Sequence, residues 1–189
     1  MMKILRSTLV LFLLLTLITG FVYPLVVTGM SYAFFPWQAR GSLIEEAGKI
    51  RGSALIGQSF TSERYFWGRP SATADHPYNA ASSGASNLAV AGQAYRQQLA
   101  ARVRQWRVSH GDAPVPIDLV TSSGSGLDPD ISIAAAYYQA ARVAGARSLT
   151  LQQVQDVIRK VQHKPVMLFF GEPRVNVLAL NLALDDRYP

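Results

Sequence analysis

Cysteine is missing from this chain of 189 residues. That excludes disulfides, thiolate metal sites, iron–sulfur clusters and a cysteine nucleophile. Charge is also scarce: Asp, Glu, Lys and Arg make up 16% of the residues, against about 25% in an average soluble domain. The deficit excludes a disordered or acidic solvating chain and points to a membrane portion. Between Ser7 and Ala39 no ionisable acid or base occurs other than tyrosine, and all twelve Asp and Glu follow Ala39. The net charge of +6 rests on fourteen Arg and only four Lys. These are scattered, apart from a local cluster at Arg102, Arg104 and Arg107. A nucleic-acid binder usually shows a basic stripe or tail, so no nucleic-acid partner is expected and the cluster reads as a solvated helix face.

Familiar chemical signatures are absent as well. Gly48-Lys49 is followed by Ile50, with Leu43 where a phosphate-binding loop needs its first glycine. No G-x-G-x-x-G dinucleotide signature occurs, and Gly124-Ser125-Gly126 has the wrong spacing for a nucleophile elbow. His76, His110 and His163 lie far apart and outside any H-E-x-x-H motif, so no metal site is expected. Asp128 with Asp130 and Asp185 with Asp186 read as capping or solvated pairs. No catalytic residue is assigned.

What the chain does have begins at Leu9. Leu9 to Val27 is a 19-residue apolar run, broken only by Thr16, Thr19, Gly20 and Pro24. About 20 apolar residues in a helix span the hydrocarbon core. The run is too long for the apolar stretch of a cleaved signal peptide, so a retained helix is expected over residues 9–30. Residues 1–8 precede it, and residues 31–189 form the body. Lys3 and Arg6 flank only the first end, which puts the N-terminus in the cytoplasm and the body outside. Tyr23, Tyr32 and Trp37 fall toward the outer interface, which suits their amphipathic rings. Thr16 and Gly20 form a small-xxx-small pair that permits close approach of a partner helix. Pro24 frees a backbone carbonyl that a neighbour must satisfy.

In the body, Phe35-Pro36 ends the anchor helix. Gly52 to Phe60 reads as a short strand, and Tyr65-Phe66-Trp67 as β-prone until Gly68-Arg69-Pro70-Ser71 breaks it. Tyr95, Leu99, Val103 and Trp106 mark one apolar face of a helix over residues 92–108. Pro116 to Thr121 alternates like a strand. Ser132 caps a helix to about Ala146. Thr150 with Gln153 makes a capping box for a third helix, with Leu149 and Val154 as its staple. Val154, Val157, Ile158 and Val161 form that helix's apolar face. Lys160 and Lys164 suit its C-terminal end, and Pro165 stops it. Val166–Phe170 and Val175–Leu178 read as strands. Helices grouped apart from strands favour an α+β body. The whole is therefore expected to be an α+β extracytoplasmic domain anchored by one N-terminal transmembrane helix.

Several stretches, in order along nearly the whole chain, carry a resemblance. They are Phe34-Phe35-Pro36-Trp37-Gln38-Ala39 with Gly41 to Ile44, Gly52 to Gln58, Tyr65 to Ala74, and Pro77-Tyr78-Asn79. Further on come Ser86 to Ala89, Ser125 to Asp128, Arg142-Val143-Ala144, Val175-Asn176-Val177, and Leu180 to Asp185. Together they resemble the C subunit of the Kdp potassium-transporting ATPase. Departures fall at Ala85, where that family usually has a second glycine, and near Asp130 and Ile133.

The resemblance implies a bacterial inner-membrane complex, with a channel-like subunit that selects potassium and a P-type ATPase subunit that hydrolyses ATP. The C subunit is its non-catalytic companion. No D-K-T-G phosphorylation motif and no T-V-G-Y-G filter occur here. The family is also described as a catalytic chaperone that raises ATP affinity, through a signature-like stretch that here is Ser148 to Gln153. Gln153 is thus the one ATP-contact candidate by resemblance, and its capping position is the preferred account. Partner-binding candidates are Thr16, Gly20, Pro36, Trp37, Phe66, Arg69, Pro70 and Ser71; aromatic residues and arginine are the types enriched at interface hot spots. The competing reading from the residues alone is a membrane-anchored periplasmic binding protein or hydrolase.

Overall fold

A computed structural model describes residues 2–46, 48–165 and 171–189. They divide into two compact units, Met1–Arg51 and Gly52–Pro189. In the first unit, helix α1 (Met2–Leu17) runs through a π-helical turn (Ile18–Val22) into helix α2 (Tyr23–Phe34). The whole run of 33 residues is long and apolar enough to cross a membrane, extending beyond the expected 9–30 at both ends. The π turn has a local cause. Pro24 has no N–H, and its ring crowds the carbonyl four residues earlier. Widening the turn before it by one residue relieves that clash. The Tyr23 N–H accordingly bonds the Ile18 carbonyl, five residues back. Every residue of α1, the π turn and α2 remains outside any buried core.

Phe35 breaks the helix at φ −134° and ψ 55°, and a single turn, α3 (Pro36–Ala39), follows. Gly41 and Ser42 both take positive φ there. Strands β1 (Leu43–Glu46) and β2 (Lys49–Ser53) then form a two-stranded sheet. The expected strand over Gly52 to Phe60 is therefore corrected: only its first two residues are strand, and the chain turns at residues 54–56. Gly57 explains the break. A Cβ there would fall 2.3 Å from the Tyr78 ring, so the chain is shaped to pass beneath that ring.

The second unit is built on three helices. α5 (Ile133–Arg147), α6 (Leu151–Val161) and α7 (Val177–Arg187) pack successively, with the antiparallel pair β3 (Asp130–Ser132) and β4 (Arg174–Asn176) beside them. Ile131 pairs with Val175 at the centre of that ladder, and both are buried. Val143, Val154, Ile158, Leu180 and Leu184 are fully enclosed. Each such side chain contributes about 1.5–3 kcal/mol of transfer free energy. Helix α4 (Gln93–His110) lays its expected face on this core through Leu99, Val103 and Trp106.

The caps read from sequence are formed. Ser132 Oγ accepts the Ala135 N–H at 3.0 Å. Thr150 Oγ1 accepts the Gln153 N–H at 3.2 Å, and Gln153 Oε1 accepts the Thr150 N–H at 2.8 Å. Three further expectations are corrected. α6 ends at Val161 with Gln162 as its cap, so it stops before Pro165 is reached. Pro116 to Thr121 is a short 3-10 turn (Ile117–Leu119) and not a strand, and its carbonyls serve helix α4: Leu119 accepts from Trp106 Nε1 and Val120 from Arg102. Val175–Leu178 is strand only to Asn176, whose side chain accepts the Ala179 N–H and starts α7. The strand expected at Val166–Phe170 lies outside the described residues.

Candidate functional site

Tyr65 is a bend whose N–H closes a turn on the Ser62 carbonyl at 3.1 Å, and Phe66-Trp67 belongs to no strand, which corrects the β expectation. Two carboxamides take the place of a neighbouring strand. Asn181 Oδ1 accepts the Phe66 N–H at 2.8 Å and Asn181 Nδ2 donates to the Phe66 carbonyl at 3.0 Å. One residue on, Gln139 does the same for Trp67, at 2.8 and 3.0 Å. Successive residues of an extended chain point their amides to opposite sides. So α7 clamps one side of the segment and α5 clamps the other.

Two arginines of α5 complete the clamp. Arg142 donates to the carbonyls of Glu63 and Tyr65, and Arg147 to that of Arg64. With Trp67 Nε1 on the Ser62 carbonyl, six consecutive carbonyls from Ser62 to Trp67 accept a side-chain donor. Arg147 is also anchored by Asp185 at 2.7 Å, and its side chain is 1% exposed. The Arg142 guanidinium lies over the Trp67 ring, 4.0 Å from its centroid.

Downstream, Gly68-Arg69-Pro70-Ser71 folds into a knot of loops. Arg69 pairs with Asp128 at 2.9 Å, both partly exposed. Ser71 Oγ donates to the Gly126 carbonyl at 2.7 Å and accepts the Tyr78 N–H at 2.9 Å. Tyr78 closes the knot. Its hydroxyl donates to the Arg69 carbonyl at 2.6 Å, over Gly68, where a Cβ would meet that oxygen at 2.5 Å. Tyr78 itself takes a positive φ of 59°, a conformation that costs free energy for a bulky residue. Burial, and secondarily the Asp128 charge, push its phenol up to about 12. It therefore acts as a neutral donor. Arg69 and Asp128 border a cleft of about 250 Å3 shared with Asp118, Asp130, Glu172 and Arg174. Its two arginines are each bonded to a carboxylate, Arg174 to Asp130 at 2.7 Å.

The expected site residues thus fall in different places. Phe66 is fully buried in the core, so it supports the segment from beneath and offers no surface. Arg69, Pro70 and Ser71 are partly exposed in the loop knot. In the first unit, Thr16 lies in α1 and Gly20 in the π turn, with open space around the Gly20 α-carbon. Pro36 and Trp37 begin α3, and Trp37 Nε1 donates to the Leu43 carbonyl at 2.9 Å. Gln153 uses its carbonyl oxygen in the cap. Among the described residues, no group of three or more His, Asp or Glu is placed to hold a metal.

Gln139, Asn181, Arg142 and Arg147 were not singled out from sequence. The available signal was polarity within apolar surroundings: Gln139 in Ala-Tyr-Tyr-Gln-Ala-Ala, and Asn181 between Leu180 and Leu182. A buried polar residue is the informative kind.

One membrane-length helix and a small α+β body, whose densest polar network binds its own backbone, define a class of single-helix protein. Comparison with known sequences narrows the class. The family described as "KdpC: K+-transporting ATPase, c chain" matches residues 5–186, and this chain belongs to that family. A relative named potassium-transporting ATPase KdpC subunit, from Yersinia pseudotuberculosis, is 54% identical over 187 residues, covering 98% of this chain and 94% of its own. Namesakes from Escherichia coli and Variovorax paradoxus are 52% and 53% identical, covering 97% and 98% of this chain and 98% and 97% of their own.

Proposed function

We propose that this chain is a non-catalytic accessory subunit of an ATP-driven, high-affinity potassium-uptake complex. The observation that carries the reading is the family match over residues 5–186, which takes in anchor and body together. Helix Met2–Phe34 anchors the chain in the bacterial inner membrane, N-terminus in the cytoplasm, with the body on the periplasmic side. Lys3 and Arg6 at one end of the helix support that orientation. Thr16 and Gly20 meet a partner helix. Pro36 and Trp37 at the foot of the anchor, and Arg69, Pro70 and Ser71 in the loop knot, meet the channel-like subunit, which the body braces. The ATP-hydrolysing subunit is the second partner. No ATP contact is assigned to Gln153, because its carbonyl is committed to the Thr150 N–H and the proposed orientation has it across the membrane from cytoplasmic ATP.

Two measurements test this. The tagged chain, extracted from native membranes, should copurify with the channel-like and ATP-hydrolysing subunits, and its deletion should abolish growth at low potassium. Protease added to spheroplasts should digest the body and spare the first residues. A chain that purifies alone from wild-type membranes overturns the companion role, and a fully protected body overturns the topology.

A further inference from the structure

The π turn leaves the Thr19 carbonyl without a donor in the middle of the apolar run. The amide five residues after Thr19 is Pro24, which has no hydrogen. The amide four residues after it is Tyr23, whose N–H is given to Ile18. Nor does the Thr19 hydroxyl help, because it donates backwards to the Leu15 carbonyl at 2.7 Å. Thr19 sits one residue from the midpoint of Leu9–Val27, where a bilayer holds no water to take over the bond. An unsatisfied carbonyl there costs several kcal/mol. The next residue, Gly20, has nothing within 4 Å of the position of a Cβ, so no side chain of this protein packs on that part of the helix.

We infer that the Thr19 carbonyl is the recognition point of this helix. Its occupant is a transmembrane helix of a partner subunit that presents a side-chain hydrogen-bond donor at mid-bilayer depth. Lipid tails have no donor. The three hydroxyls of this helix with assigned bonds, on Ser7, Thr8 and Thr19, each bond their own preceding turn. The inference rests on the accessory-subunit reading and adds to it the chemistry of the helix contact.

Carbonyl-13C threonine combined with 15N-glycine labels two Thr-Gly bonds in the full chain, Thr19-Gly20 and Thr28-Gly29. Thr28 lies in regular helix α2 and serves as the internal reference. Solid-state NMR of the isolated chain, diluted in bilayers, should show the Thr19 carbonyl carbon shielded relative to Thr28. In the assembled complex it should move to the deshielded position of a bonded carbonyl, with Thr28 unchanged. Pro24→Ala lets the helix regain its regular register, returning the Tyr23 N–H to Thr19. The shift on assembly should then vanish, and retention of the chain in the complex should fall about threefold, the scale of one interhelical hydrogen bond. A Thr19 signal that does not move on assembly overturns the inference while leaving the companion role intact. So does one already deshielded in the dilute isolated chain, which would mean water or lipid headgroups reach it. A chain that joins no complex at all refutes the underlying reading and, with it, the source of the donor.

Discussion

Replacing Asn181 should expose what the carboxamide clamps contribute. Asn181 is 1% exposed, and both ends of its amide are bonded to the backbone of Phe66, itself fully buried. Asn181→Ala leaves a buried N–H and a buried C=O without partners. Each such group costs about 1–3 kcal/mol, so the variant should lose about 2–5 kcal/mol, a large share of the 5–15 kcal/mol typical of a domain. Asn181→Asp refines the test. An ionised carboxylate still accepts the Phe66 N–H, but it faces the Phe66 carbonyl with no proton to donate. A protonated carboxyl has nearly the shape of the carboxamide and regains that donor. Burial raises the folded-state pKa of such an aspartate above its ordinary value of about 3.9. The folded state then binds more protons than the unfolded state between those two values, so stability gained at low pH is lost as pH rises through the folded pKa. Urea unfolding of the full chain in detergent, followed by tryptophan fluorescence, reads both effects. Trp67 and Trp106 report on the segment directly, with ring centroids 5.2 Å apart. A loss under about 0.5 kcal/mol for Asn181→Ala, a value typical of surface positions, would refute the clamp. So would an Asn181→Asp variant no more stable near pH 5 than near pH 8.

Gln153→Ala removes one reciprocal bond of the capping box and should cost about 0.5–1 kcal/mol, whereas Gln153→Glu keeps it. Neither should change the ATP dependence of the assembled pump, and a several-fold rise in the ATP needed for half-maximal turnover at unchanged stability defeats the capping account. Arg69→Ala breaks a half-exposed ion pair, so about 1 kcal/mol of stability should go, together with potassium uptake at low external potassium; equal uptake at a normal subunit ratio removes Arg69 from the docking surface. His110 stacks on Tyr138 at 4.5 Å and meets Trp106 edge-on. Burial, and secondarily the Arg142 charge, lower its pKa despite a raising contribution from the Trp106 backbone. The unfolded chain therefore binds the proton first, and stability should fall as pH drops from about 6.5 toward the lower folded value; His110→Phe should flatten that part of the pH–stability curve.

Features with local causes were legible in the sequence. The apolar run, the Ser132 cap and the Thr150–Gln153 box each depend on residues within one or two turns, and each formed where the pattern put it. The α4 face was legible for the same reason. The failures share a non-local cause. Tyr65-Phe66-Trp67 has strand propensity, but its partners are side chains at positions 139 and 181, far along the chain. Val175-Asn176-Val177 alternates as a strand does, and only the Asn176 cap turns the following leucines into helix. Pro116 to Thr121 alternates too, yet its carbonyls are taken by Trp106 and Arg102 from α4. Of the expected docking residues, Phe66 is fully buried, and burial depends on what packs over a residue, which lies far along the chain. Arg69 was legible as special, but its bond to Asp128 was not.

The six occupied carbonyls from Ser62 to Trp67 have a consequence for assembly. A segment with unpaired main-chain groups is ordinarily a template onto which a foreign strand can add. Here each of those carbonyls, and the amides of Phe66 and Trp67, are already taken by arginine, carboxamide or indole groups of the same chain. The segment is closed to strand addition without having become part of a sheet. Whatever binds this stretch must read side chains, chiefly those of the exposed Glu63 and Arg64, and not the main chain.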